Sequence, residues 1–390
     1  MSTADIELSP PASGPVDVLF VAGEHSGDQH AALIARDIQQ AHPDWQMAAM
    51  GGPSLKLAGV QLLFDLTRHS VVGLVEVLRH YGEFKRIFEA LVGWIGAHQP
   101  KVVVLVDYPG FNLRLADALR KRGISRKGGG NVAVYQYVSP QIWAWKAKRR
   151  FKMAKILDGL GVIFPFELDC YTDTNLPVAF VGHPFARKDY SNPLRYDPEG
   201  PILLLPGSRK QAVSRIFPVM LKTIAAYRAS GGTRRCVCLY PEDSIRLILE
   251  DVIGREHVDS GMVSLRPAEQ GTTASAVLTS SGTMSLNCAL AGLPGAIVYV
   301  AHPFTTWLGR RLVSIEWLGI ANLVLGRCLY PEFIQEAAKP EVLATLLRDT
   351  LADPEAHGVF SAGSKEVFGK LHATDASNMV TQIVQLVGLD

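Results

Sequence analysis

The sequence predicts an α/β protein made of two Rossmann-like domains that face one cleft. A strand that runs into a glycine loop and then a helix occurs twice. Val16-Asp17-Val18-Leu19-Phe20-Val21 reads as a buried strand and Ala22-Gly23-Glu24-His25-Ser26-Gly27-Asp28 as its loop. Pro201-Ile202-Leu203-Leu204-Leu205 and Pro206-Gly207-Ser208-Arg209-Lys210 repeat that grammar. After each start, strands and helices alternate, which is the pattern of a parallel sheet covered on both faces. A glycine loop at a helix N-terminus is also a ready anion site.

The elements follow in order. Residues 1–15, rich in Pro and Ser, read as a flexible leader. The first domain spans 16–190, with helical pattern over about 28–41 and a long amphipathic stretch over Val71–Ala97. Val102–Val106 has no polar residue, as expected of a strand buried on both faces. Leu113–Arg122 reads as a helix, with Val132–Tyr137 and Gly159–Ile163 as strands. Residues 191–200 look like a linker by their Pro, Asn and Gly content. The second domain covers 201–365. Its strands are Arg234–Tyr240, Ala276–Leu278 and Ala296–Val300, and its helices Asp243–Val252, Thr283–Ala291 and Leu343–Leu351. Residues 366–390, with helical Val380–Val387, form a last segment expected to return to the first domain.

At 390 residues with 48% apolar side chains, the chain has ample material for two cores. A net charge of +2 gives no argument for nucleic acid as a partner. Five scattered cysteines read as buried thiols in a reducing compartment rather than as a metal site, and no cofactor is expected. The N-terminus lacks the basic and apolar regions of a signal peptide. No apolar run reaches the roughly 18 residues that span a bilayer. A cytoplasmic protein is expected, with attachment to a membrane surface left open.

Several groups are suited to chemistry. Gly207-Ser208-Arg209 follows a strand, and Arg offers a planar fork of donors to phosphate oxygens; a turn with a surface Arg is the plainer reading. Ser280-Ser281-Gly282-Thr283 opens a helix, as anion loop or as simple N-cap. Two such loops in one domain point to a diphosphate. Asp107 closes the Val102–Val106 strand, where a carboxylate points into the cleft as general base or else caps the next helix. Glu24, Ser26 and Asp28 sit on the first loop and are expected to line the same cleft on the acceptor side, though Ser26 and Asp28 also suit a plain N-cap. Trp143 and Trp145 stand beside Lys146, Lys148, Arg149, Arg150 and Lys152, which suits a membrane interface or an anionic amphiphile, or simply a solvated basic helix. The Val71–Trp94 stretch carries Arg79, Lys85 and Arg86, for acyl chains and headgroups or for ordinary packing on the sheet.

Together these residues resemble the lipid-A-disaccharide synthase family, glycosyltransferases of the GT-B type. The likeness covers about 16–372 and includes Val21-Ala22-Gly23-Glu24, Ser26-Gly27-Asp28, Gly73-Leu74-Val75-Glu76-Val77-Leu78, and Asp107 with Phe111-Asn112. It continues through Tyr137-Val138-Ser139-Pro140, Trp143-Ala144-Trp145, Phe164-Pro165-Phe166-Glu167 and Gly182-His183. In the second domain it adds Leu205-Pro206-Gly207-Ser208-Arg209, Ser281-Gly282-Thr283, Asn322-Leu323, Gly326-Arg327 and Pro331-Glu332. The resemblance implies transfer from UDP-2,3-diacylglucosamine to 2,3-diacylglucosamine 1-phosphate, giving a β-1,6 disaccharide and UDP without metal. It implies Asp107 as general base, and Gly207, Ser208, Arg209, Ser281, Gly282, Thr283, Asn287, Asn322 and Arg327 near the donor. Its expected partners are that donor, that acceptor, the inner membrane surface and a second copy of the chain.

The chain departs from the family pattern at four places. Asn287 and Ala212 stand where Glu is usual, and Tyr108 and Gly110 replace Ala and Asp. Asn287 can hydrogen-bond a hydroxyl but carries no charge. Two rivals stand beside the transferase: a UDP-N-acetylglucosamine 2-epimerase on the same fold, and a catalytically inactive sugar-nucleotide or lipid-binding protein that keeps the cleft.

Overall fold

The computed structural model describes residues 6–69, 81–256, 261–301, 316–373 and 378–388. The chain divides into two compact units, 1–184 with 373–390, and 185–372.

The first unit is a seven-stranded parallel sheet. Its strands are β1 (Val18–Ala22), β2 (Met47–Gly51), β3 (Gln61–Asp65), β4 (Val102–Val106), β5 (Ala133–Tyr137), β6 (Gly159–Val162) and β7 (Val178–Phe180). Their order is β3-β2-β1-β4-β5-β6-β7, so the winding reverses between β1 and β4. β4 has all five positions buried because both of its faces are covered. Val103 and Leu105 pack with Leu91, Ile95, Leu115 and Leu119 on one side. Val102, Val104 and Val106 pack with Ala31, Ala35 and Ile38 of helix α1 (His25–Ala41) on the other. Met379 and Ile383 of the last helix (Met379–Leu386) join that second cluster.

The second unit has a six-stranded parallel sheet ordered β11-β10-β9-β13-β14-β15, reversing between β9 and β13. These strands are β9 (Ile202–Leu205), β10 (Cys236–Tyr240), β11 (Val263–Pro267), β13 (Ala276–Thr279), β14 (Gly295–Tyr299) and β15 (Glu332–Ile334). β8 (Leu194–Tyr196) and β12 (Thr272–Ala274) form a separate parallel pair.

Local differences from the sequence reading are instructive. α1 starts at His25, so Ser26, Gly27 and Asp28 lie in its first turn and not in a loop. The helix expected from Leu113 begins at Pro109, with proline in the first turn where its missing N–H costs nothing. The stretch 191–200 carries β8, and the helix Ala356–Leu371 belongs to the second unit. Of the amphipathic stretch, helix Tyr81–His98 is seen; Gly73–Leu78 and Arg79 lie outside the described residues.

Candidate functional site

In doubly wound sheets, ligands sit beyond the C-terminal ends of the strands where the winding reverses. In the first unit that point is the end of β1 and β4, occupied by Glu24 and Asp107. Asp107 and Tyr108 are both left-handed, with φ of 47° and 45°. Such a conformation costs a non-glycine residue roughly 1–2 kcal/mol, so the turn needs external support. The Asp107 N–H donates to the Tyr137 carbonyl at 2.9 Å. The Asp107 carbonyl accepts from Asn112 Nδ2 at 2.8 Å and Gln136 Nε2 at 3.1 Å. Burial raises the Asp107 carboxyl from 3.8 to about 6; the negative Glu24 adds to the rise and the Tyr108 N–H offsets part of it. A carboxylate that titrates there is suited to accept a proton near neutrality.

Glu24 is exposed at the N-cap of α1, and Ser26 is exposed in its first turn. Asp28 is not available to a ligand. It is 1% exposed, and its carboxylate accepts the backbone N–H groups of Gly52 (2.7 Å), Ser54 (2.8 Å) and Leu55 (3.3 Å), capping the short helix Pro53–Leu57. His183, from the Gly182-His183 motif, is pushed down to about 3 by burial and by facing His30, so it is neutral in the physiological range.

In the second unit the reversal lies between β9 and β13. The loop after β9 leads into helix Lys210–Ala229, and the loop after β13 into helix Thr283–Leu290. A pocket of ≈ 150 Å³ lies there, lined by Gly207, Ser208, Ser280, Gly282 and Thr283 with apolar Leu239 and Pro241. Gly207 has φ 113°, and a β-carbon on it would stand 3.2 Å from Ser280 Oγ, so glycine brings the two loops together. Gly282 is the N-cap of the second helix, whose first N–H groups lack intrahelical partners. Ser281 precedes it, and Arg209 is exposed at the N-cap of the first helix.

Five residues expected near the donor do not line this pocket: Arg209 and Ser281 flank lining residues, while Asn287, Asn322 and Arg327 are engaged elsewhere. Asn287 is buried; its Oδ1 accepts the Tyr190 hydroxyl at 2.8 Å and its carbonyl accepts Asn192 Nδ2 at 2.9 Å. Asn322 is fully buried and fully used. Its Oδ1 accepts Leu329 and Tyr330 N–H, while Nδ2 donates to the Tyr330 carbonyl and Glu332. Arg327 pairs with Glu366 at 2.6 Å. Tyr190 and Glu332 were missed as their partners because each pairing joins segments with no local pattern.

Trp143 packs edge-on against Phe166 at 5.5 Å. Trp145 is 49% exposed, with Lys146 Nζ 4.2 Å and the Arg149 guanidinium 5.9 Å from its ring. Phe151 is also exposed beside Arg150. Lys85 and Arg86 are exposed, but their helix spends its apolar stripe of Ile87, Leu91 and Ile95 on the core, leaving that stripe unavailable to acyl chains. Among the described residues no group of three or more His, Cys, Asp or Glu side chains could hold a metal ion.

The family model for lipid-A-disaccharide synthetase matches residues 18–387. The chain belongs to the lipid-A-disaccharide synthetase family. It is 34% identical to the lipid-A-disaccharide synthase of Geobacter metallireducens over 94% of this chain and 96% of that one. With the Nitrosococcus oceani lipid-A-disaccharide synthase it shares 34% identity over 87% and 88% of the two chains. As a family member it is a glycosyltransferase that uses a UDP-sugar donor and a sugar acceptor and forms the lipid A disaccharide. The solved calicheamicin glycosyltransferase CalG4 shares the fold, with TM-score 0.55 and 14% identity over 96% of this chain and 99% of that one. The UDP-GlcNAc 2-epimerase of Neisseria meningitidis aligns with TM-score 0.57 at 11% identity over 95% and 98%. The fold is thus of the GT-B type. The epimerase rival has likeness of fold alone and is not favoured. No described helix is long and apolar enough to cross a membrane.

Proposed function

We propose that the chain transfers the sugar of UDP-2,3-diacylglucosamine to the 6-hydroxyl of 2,3-diacylglucosamine 1-phosphate at the cytoplasmic face of the inner membrane. Asp107 takes the proton of that hydroxyl as the oxygen bonds to the anomeric carbon from the face opposite the diphosphate. The bond from carbon to diphosphate oxygen breaks, its electron pair leaves with UDP, and the β-linked disaccharide remains. Glu24 and Ser26 stand on the acceptor side. Gly207, Ser208, Arg209 and the Ser281–Thr283 loop grip the diphosphate, where helix N–H groups and a guanidinium stabilise leaving negative charge. Trp145, Phe151, Lys146 and Arg149 rest on the lipid surface, aromatic rings at headgroup depth and cations on anionic lipid.

The observation that carries this reading is the Asp107 carboxyl, held at the sheet's reversal point with its titration raised to about 6. The test is incubation with the diacylated UDP-sugar and the diacylated sugar phosphate, with product identified by mass. Disaccharide plus UDP is expected. Absence of disaccharide overturns the reading, and epimer formed from UDP-N-acetylglucosamine in a parallel reaction would replace it.

A further inference from the structure

We infer that Asn112 and Gln136 are positioning residues, whose side-chain amides hold the Asp107 backbone in the left-handed turn that presents its carboxylate. The inference rests on reading Asp107 as the base. Asn112 lies in the first turns of the helix after β4, and Gln136 lies within β5; both are fully buried. Asn112 Nδ2 is 2.8 Å from the Asp107 carbonyl oxygen and 3.2 Å from that of Val106. Gln136 Nε2 is 3.1 Å from the Asp107 carbonyl oxygen, and 3.2 Å from those of Tyr137 and Val138. Val138, with φ 68°, is left-handed as Asp107 and Tyr108 are. Two amide NH₂ groups therefore gather the carbonyls around three unfavourable backbone conformations at the ends of adjacent strands.

The other half of each amide does nothing comparable. Asn112 Oδ1 and Gln136 Oε1 are buried with no hydrogen-bond partner among the described residues. Facing carbonyl oxygens, each amide is oriented with its donors inward. Leucine or methionine would fill the same space without stranding an acceptor. What the amides add is the grip on the main chain at residue 107.

The test compares Gln136→Met, Asn112→Leu and Asp107→Asn in the full chain by kcat, donor KM, pH profile and thermal midpoint. Positioning predicts that kcat falls at least about tenfold in the first two, since small misplacement of a reacting group is costly in rate. Donor KM stays within about twofold, because the donor loops are on the second unit. The acidic limb of kcat/KM shifts to lower pH as the carboxyl reaches water, with Glu24 and Tyr108 as the titratable groups beside it. Folded variants with unchanged kcat and a lower midpoint alone would overturn the inference. Should either variant not fold, Asn112→Ser, which shortens the donor and admits water, gives the same decision. Full turnover in Asp107→Asn would refute the base itself and is read separately.

Discussion

The ring of Tyr108 covers Gly23 so closely that a β-carbon on Gly23 would stand 2.3 Å from its Cδ1. The glycine loop after β1 and the turn after β4 are thereby fitted to each other. Gly23→Ala must displace Tyr108, and with it the adjoining Asp107. A loss of about 1–3 kcal/mol in stability is expected for such overpacking, with turnover reduced at least about tenfold by misplacement of the base. Denaturant melts and kcat measure the two effects, and Tyr108→Ala in the same chain should return part of the stability.

The pH dependence follows from the raised Asp107 carboxyl. The base is competent only when ionised, so kcat/KM should fall as pH drops through about 6. Burial is the larger cause of the rise and Glu24 the second. Glu24→Gln removes that second contribution, so the acidic limb should move to lower pH. For stability the sign is opposite to the usual carboxylate. The folded state holds this proton more tightly than the unfolded chain does. Asp107 therefore costs stability as pH rises from 3.8 through about 6. Asp107→Asn should be more stable than the parent at neutral pH, and its advantage should vanish in acid.

Asp28→Ala strips three backbone N–H groups of their acceptor. A loss of about 2–4 kcal/mol is expected, since hydrogen bonds to charged groups are worth about 1.5–3 kcal/mol each and are not additive. Turnover of the folded variant should stay near the parent value. A raised acceptor KM with unchanged stability would instead return Asp28 to the acceptor side.

Trp145→Ala and Lys146→Ala should weaken co-sedimentation with anionic vesicles, and added salt should weaken the parent's binding in the same direction. Since Trp145 is 49% exposed, the fold should lose little. Unchanged vesicle binding in the double variant would remove this patch from the membrane account.

What the sequence disclosed depended on how local each cause was. Val102–Val106 was legible because a strand covered on both faces is apolar throughout. Met47–Gly51 was not, because Met, Ala and Gly carry no strand preference and its place comes from pairing with β1 and β3. The three-residue strands Leu194–Tyr196 and Glu332–Ile334 are too short for any period to register. Asp107 and Arg209 were singled out by their places after strands, and they follow β4 and β9 in the structure. The left-handed turn at Asp107 was hidden, since neither Asp107 nor Tyr108 is glycine and the supporting Gln136 is 29 residues away. The backbone partners of Asp28 were hidden for the same reason, since they start 24 residues downstream. Asn322 was expected near the donor by resemblance, and its geometry shows a residue that ties Leu329, Tyr330 and Glu332 together.

The central claim is that the carboxylate at position 107 removes the acceptor's proton. Turnover by Asp107→Asn, with both acylated substrates present and product weighed by mass, tests it most directly. The variant should bind UDP as the parent does and form almost no disaccharide. Parent-like product formation by the folded variant would contradict the claim.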